Sequence, residues 1–139
     1  MRFSIFCFFL LCFRLSAQEY RVEDQAKYTF ELIEEDLLAF AQEFPALTKL
    51  DTFSTSEFGL PLYRLVVSKG STKGKWPLVL VGNIHAREDY SSKYVMKFTN
   101  LFLLSCMGKS SVYPSAEKLL ENWYIVVIPV ANPDGLKIA

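Results

Sequence analysis

Residues 76–89 read WPLVLVGNIHARED, and this stretch decides the fold. Its first six residues are apolar without alternation. A strand with two apolar faces is expected in the middle of a sheet, covered on both sides. The strand is read on through Gly82, Asn83 and Ile84 (WPLVLVGNI), and His85, the only histidine in the chain, follows. Beyond it, residues 89–108 (DYSSKYVMKFTNLFLLSCMG) show helical spacing. Tyr90, Tyr94, Met96, Leu101 and Leu104 are among the apolar positions, and Gly108 is the stop. A second doubly apolar run, WYIVVIPVA, fills residues 123–131. Strand, helix and strand in this order predict a parallel crossover unit.

The pattern extends outward from this unit. Residues 28–45, YTFELIEEDLLAFAQEFP, place Phe30, Ile33, Leu37, Phe40, Ala41 and Phe44 at three- and four-residue steps. That predicts an amphipathic helix capped by Thr29 and ended by Pro45. Residues 47–70 hold two strand-like runs around Glu57-Phe58-Gly59, where the glycine permits a turn. In the second run Leu60, Leu62, Leu65 and Val67 alternate imperfectly with polar residues, as on a half-covered strand. Residues 108–122, GKSSVYPSAEKLLEN, read as a loop with a short helical turn, and Asn132 to Gly135 (NPDG) as a chain reversal. The order is helix, hairpin, strand, helix, strand. The expected fold class is α/β, a mixed β-sheet with flanking helices, antiparallel at its start and parallel later.

The N-terminus is set apart from this domain. Arg2 precedes an apolar run from Phe3 to Phe13, and LSA ends at the small residue Ala17. This is the pattern of a signal peptide over residues 1–17, far short of the ~20 apolar residues of a spanning helix. Arg14 is the feature that favours an uncleaved anchor instead. After cleavage the chain is expected outside the cytoplasm, extracellular or periplasmic, with no stable membrane insertion. Residues 18–27 are a polar lead-in, and residues 28–139 form the domain. All 15 acidic residues lie beyond the signal segment, against 15 − 2 = 13 basic ones. A net charge near −2 gives no reason to expect a nucleic-acid partner. Cys7 and Cys12 leave with the signal peptide, so Cys106 stands without a disulfide partner and reads as a small buried apolar residue.

His85 lies where open α/β sheets build their sites, just past the carboxyl end of a strand. Glu88 comes three residues later, and side chains three apart at a helix opening share one side. An imidazole and a carboxylate in that relation can reach one metal ion, and zinc accepts both. Arg87 between them offers a fixed cation able to hold a carboxylate. Taken alone, His-x-x-Glu is an unspecific pattern, and a hydrogen-bonded structural histidine is the competing reading. Asp89 reads as an acid at a helix start, favoured by the helix dipole.

The stretch NIHAREDYSSK resembles the zinc-binding signature of the zinc carboxypeptidase (funnelin) metallopeptidases, which carry His-Ala-Arg-Glu or His-Ser-Arg-Glu after a central strand. YIVVIPVANPDG is similar to that family's next strand and its Asn-Pro-Asp-Gly turn. The helix at residue 28 and the FGLPLYRLVVSKG hairpin resemble its N-terminal region. The four pieces stand in family order across residues 28–135. HAREDYSS looks closer to bacterial members, some acting on cell-wall peptides. The resemblance implies His85 and Glu88 as zinc ligands and Arg87 as a substrate contact near the scissile bond. It implies Zn2+ as cofactor and a peptide as substrate, hydrolysed by zinc-activated water. For Asn132 to Gly135 it implies a turn near the cleft without a catalytic role.

The same family has a third ligand, a histidine, well downstream of Asn-Pro-Asp-Gly, and a general-base glutamate further on. No second histidine stands in this sequence. The expectation is therefore a fold truncated at its C-terminus: the front of a secreted zinc metallocarboxypeptidase, inactive by itself, with no catalytic residue of its own to name. The alternative is a degenerate, non-catalytic relative that binds a peptide or a partner.

Overall fold

The computed structural model describes residues 28–139; the expected signal peptide and lead-in lie outside the described residues. The first helix, α1 (Phe30–Glu43), forms where the periodicity places it. Thr29, in extended conformation, accepts the Leu32 N–H on its hydroxyl at 3.4 Å. Phe30, Ile33, Leu37 and Phe40 point into the core, and Phe44 joins them past the helix end, while Ala41 is only half-buried. Full burial of Ile33, Leu37 and Phe40 contributes about 1.5–3 kcal/mol each. The Thr48 hydroxyl donates to the Phe44 carbonyl at 2.8 Å, turning the chain into the sheet.

The sheet has four strands: β1 (Thr48–Thr55), β2 (Pro61–Val67), β3 (Trp76–Val81) and β4 (Trp123–Ile128). Their spatial order is β1-β2-β4-β3. β1 pairs antiparallel with β2 through a turn at Gly59, whose φ of 80° suits glycine. Arg64 clamps Asp51 across this pair, Nε to Oδ1 at 3.0 Å and a terminal nitrogen to Oδ2 at 2.6 Å. That hydrogen bond holds the Asp51 carboxyl below the ordinary aspartate range. β2 pairs antiparallel with β4, and β3 pairs parallel with β4. The expected mixed sheet is present, antiparallel first and parallel later.

One face of the sheet is packed. Leu65 and Val67 on β2 stand beside Val127 and Ile125 on β4, with Leu50 and Leu80 in register on the outer strands. They meet α1 and α2 (Asp89–Cys106) in a single cluster. Tyr63, not Leu62, continues this inner face of β2: it packs against the cluster and stacks with Phe30. The imperfect alternation of that run therefore resolves in favour of the odd-numbered positions.

Three expectations need correction. The run at residues 76–81 is not a central strand. β3 lies at the sheet edge among the described residues, with Trp76, Leu78, Val79 and Val81 exposed. The central place next to it belongs to β4, which is buried on one face only. On the far face Val66, Tyr124, Val126 and Ile128 are only half-buried, and Val79 and Val81 are open. In α2 the buried residues are Ser92, Met96, Thr99, Asn100, Phe102, Leu103 and Leu104; Met96 and Leu104 are thus buried apolar positions of the expected helix, whereas Tyr90 and Tyr94 are exposed. Close backbone approach at the start of α2 selects small residues there, so counting apolar side chains misleads in its first turns only. Finally, NPDG is more than a reversal: it opens α4 (Pro133–Ile138), with Asn132 as its cap. The expected short helical turn is α3 (Ala116–Leu119). Gly108 at φ 69° ends α2 as expected.

Candidate metal centre

The parallel pair β3/β4 continues past its last strand residues. Gly82 N–H donates to the Ile128 carbonyl, Ala131 N–H to the Gly82 carbonyl and Asn132 N–H to the Asn83 carbonyl, each at 2.9 Å. Only glycine fits at position 82: an added Cβ would stand 2.5 Å from the Pro129 carbonyl oxygen and 2.9 Å from Ser92 Cα. The Ser92 hydroxyl, buried, donates to the same Pro129 carbonyl at 2.7 Å. These contacts pin the first turn of α2 against the two strand ends. The segment between, residues 83–88, is held over the carboxyl end of the sheet, where α/β folds place their sites.

Within that segment Glu88 N–H donates to the His85 carbonyl at 3.1 Å, closing a tight turn. The turn, rather than a helical face, brings the two side chains together. α2 begins only at Asp89, and Glu88 is its N-cap residue but makes no side-chain cap bond. Its carboxylate faces His85 instead, with Oε1 2.9 Å from Nδ1. Both side chains are open to solvent, 78% and 52% exposed, so a ligand can reach them. Arg87 is exposed in the same turn. Asp89 occupies the first turn of α2, as expected.

Two donors that ligate one ion through bonds of ~2.0–2.2 Å must lie within about 4 Å of each other. The His85–Glu88 separation meets that condition, and an imidazole with a carboxylate is a donor set zinc takes. Among the described residues no group of three or more His, Cys, Asp or Glu side chains converges to hold an ion. The pair thus fits zinc as two ligands of a set that needs more.

The Asn-Pro-Asp-Gly segment buttresses this turn from below. Asn132 Oδ1 accepts the Gly135 N–H at 2.9 Å, and its Nδ2 reaches the Ile84 carbonyl at 3.4 Å. A Cβ on Gly135 would come within 2.9 Å of the Ala86 Cβ, between the two donors. Asp134 turns the other way. It accepts the Ser56 hydroxyl at 2.6 Å and the Phe58 N–H at 3.2 Å, tying α4 to the β1–β2 turn. Reading the sequence missed Asp134 and Asn83. Composition could signal a turn at each, but not which distant group it binds.

Cys106 is half-buried rather than buried, and burial pushes its thiol up to about 11, with Glu117 adding to the effect. Such a thiol is a poor nucleophile at neutral pH. A groove of about 410 Å³ lies beside β3, lined by Leu78, Phe98, Phe102, Tyr113, Leu119 and Ile125. It shares no lining residue with the His85 turn.

A family model described as zinc carboxypeptidase matches residues 33–139. The fold is similar to that of thrombin-activatable fibrinolysis inhibitor, with 23% identity and a TM-score of 0.72 over 86% of this chain and 30% of that one. It is similar to a metallo-carboxypeptidase from Burkholderia cenocepacia, at 21% identity and a TM-score of 0.66, over 78% and 28% of the two chains. It also resembles the carboxypeptidase A of Helicoverpa armigera, at 21% identity and a TM-score of 0.62, over 78% and 25%. At these identities the likeness is one of fold. The chain spans between a quarter and a third of the length of these structures.

Proposed function

This chain belongs to the zinc carboxypeptidase family, and from that premise we propose that it carries one half of the metal site of a secreted zinc peptidase. His85 and Glu88 hold the ion, and Arg87 contacts the peptide substrate. The observation that carries this reading is the placement of His85 Nδ1 and Glu88 Oε1 2.9 Å apart, solvent-facing, at the carboxyl end of a parallel strand pair. Zinc bound there would polarise the scissile carbonyl and lower the pKa of a water towards ~7.

The chain's own residues bind and orient. The turn brings the imidazole beside the carboxylate before any ion arrives. Glu88 supplies negative charge to a divalent cation, and the Arg87 guanidinium supplies a forked donor for a substrate carboxylate or carbonyl. Catalytic zinc sites use three protein ligands and a water. Peptide hydrolysis is therefore proposed for the complete site and not for this pair alone. The substrate class is a peptide, cell-wall peptides included.

Secretion is proposed from the apolar leader ending at Ala17. No described helix is long and apolar enough to cross a membrane. The test of the site is zinc affinity, measured by competition with a chromophoric chelator. The parent chain should take zinc from a weak chelator, and His85→Ala and Glu88→Gln should each lose that ability. Equal affinity in all three chains would contradict the reading.

A further inference from the structure

We infer that Asn83 is the positioning residue for both metal donors, setting the geometry of His85 and Glu88 without touching the ion; this rests on the zinc reading above. Among the described residues Asn83 is the one non-glycine at positive φ, at 47°. It is also fully buried, although its side chain is polar. Asparagine tolerates this left-handed conformation, where most side chains are strained. A buried polar residue in such a conformation persists when its surroundings hold it there.

What holds it is a set of bonds that leads to both donors. The Asn83 side chain donates through Nδ2 to the His85 carbonyl at 3.2 Å. That same carbonyl accepts the Glu88 N–H that closes the turn. The Asn83 backbone N–H donates to Ser91 Oγ at 2.7 Å, and the Ser91 hydroxyl passes the link on to the Glu88 carbonyl at 2.6 Å. The Asn83 carbonyl accepts the Asn132 N–H, anchoring the hub to the end of β4. One buried residue is thus bonded to the backbone of His85 directly and to that of Glu88 through one hydroxyl. Its Oδ1 has no hydrogen-bond partner although buried, so the side chain is oriented by its amide nitrogen. Outer groups bonded directly to ligating side chains typically change metal affinity by ~10- to 100-fold when removed; Asn83 acts through the ligands' backbone, which sets the expectation at the lower end of that range.

The test uses the single histidine as its own reporter. Diethyl pyrocarbonate modifies a free imidazole, and bound zinc protects it, so protection against zinc concentration reads occupancy at His85. Asn83→Gly keeps the left-handed backbone and removes the Nδ2 bond; Ser91→Ala removes the other arm and leaves the φ of Asn83 untouched. Each variant should need roughly tenfold more zinc for half-protection. Far-UV circular dichroism should show the parent helix and strand content in both variants, and Glu88 amide exchange should quicken. A role in folding alone would lower the melting temperature and leave the zinc dependence of the folded fraction unchanged, and that result overturns the inference. Protection of both variants at the parent zinc concentration overturns it as well. If the parent chain itself gains no protection from zinc, the zinc reading fails and the inference falls with it.

Discussion

At the scale of single residues, the site depends on close backbone approach as much as on the donors. Gly82 sits where β3, β4 and α2 converge, and the atoms an added Cβ would meet are backbone atoms that cannot swing aside. Gly82→Ala should destabilise the fold by about 1–3 kcal/mol, read as a lower urea midpoint, because overpacking of this kind forces the backbone to shift. An unchanged midpoint would mean that the three elements are not in contact there. The proposed donors stand out through the family resemblance and not through His-x-x-Glu alone, which is unspecific; the structure adds that the two side chains meet at 2.9 Å. Asn83 does not stand out. A sequence shows that asparagine tolerates turns, but the bonds from Asn83 to His85 and Ser91 exist only after β3 and α2 have docked.

At the scale of elements, Asp134 joins two parts of the chain that sequence reading treats separately. Its carboxylate takes hydrogen bonds from Ser56 and Phe58 in the hairpin turn, while its own helix begins at the buttress beneath His85. Asp134→Ala should cost about 1 kcal/mol and speed hydrogen exchange at the Phe58 amide, with no change at the centre of β4. Exchange at Phe58 equal to that of the parent would show the link to be idle. The elements with strong periodicity were readable, α1 above all, since Phe30, Ile33, Leu37 and Phe40 state their face outright. α2 was readable as a helix, with Met96 and Leu104 among its buried positions, but its first turn was not. Its first buried residue, Ser92, is chosen for size against Gly82 and for its bond to Pro129. Hydropathy carries neither reason.

At the scale of the whole molecule, the apolar strands are only half used. Among the described residues β3 presents Trp76, Val79 and Val81 at an open edge, and the far face of β4 is only half-buried. The sequence announced strands covered on both sides; the described residues cover one. An uncovered apolar edge invites pairing with other chains. The isolated chain should therefore bind a hydrophobic dye and associate as its concentration rises. Val79→Lys, on the open face, should suppress that association without lowering the melting temperature. Association unaffected by this change would place the sticky surface elsewhere. The mixed character of the sheet was readable, because a helix between two apolar strands predicts a parallel pair. Which of the two strands lies at the edge was not, since both runs are equally apolar and only pairing decides.

The central claim is that His85 and Glu88 form two adjacent ligands of a zinc ion, and the 15N spectrum of the single histidine ring tests it most directly. Nδ1 is the nitrogen that faces Glu88. Added zinc should therefore shift Nδ1 as a ligand nitrogen and leave Nε2 protonated, and Glu88→Gln should move the shift to higher zinc concentration. No shift at saturating zinc, or ligation through Nε2 indifferent to Glu88, would contradict the account.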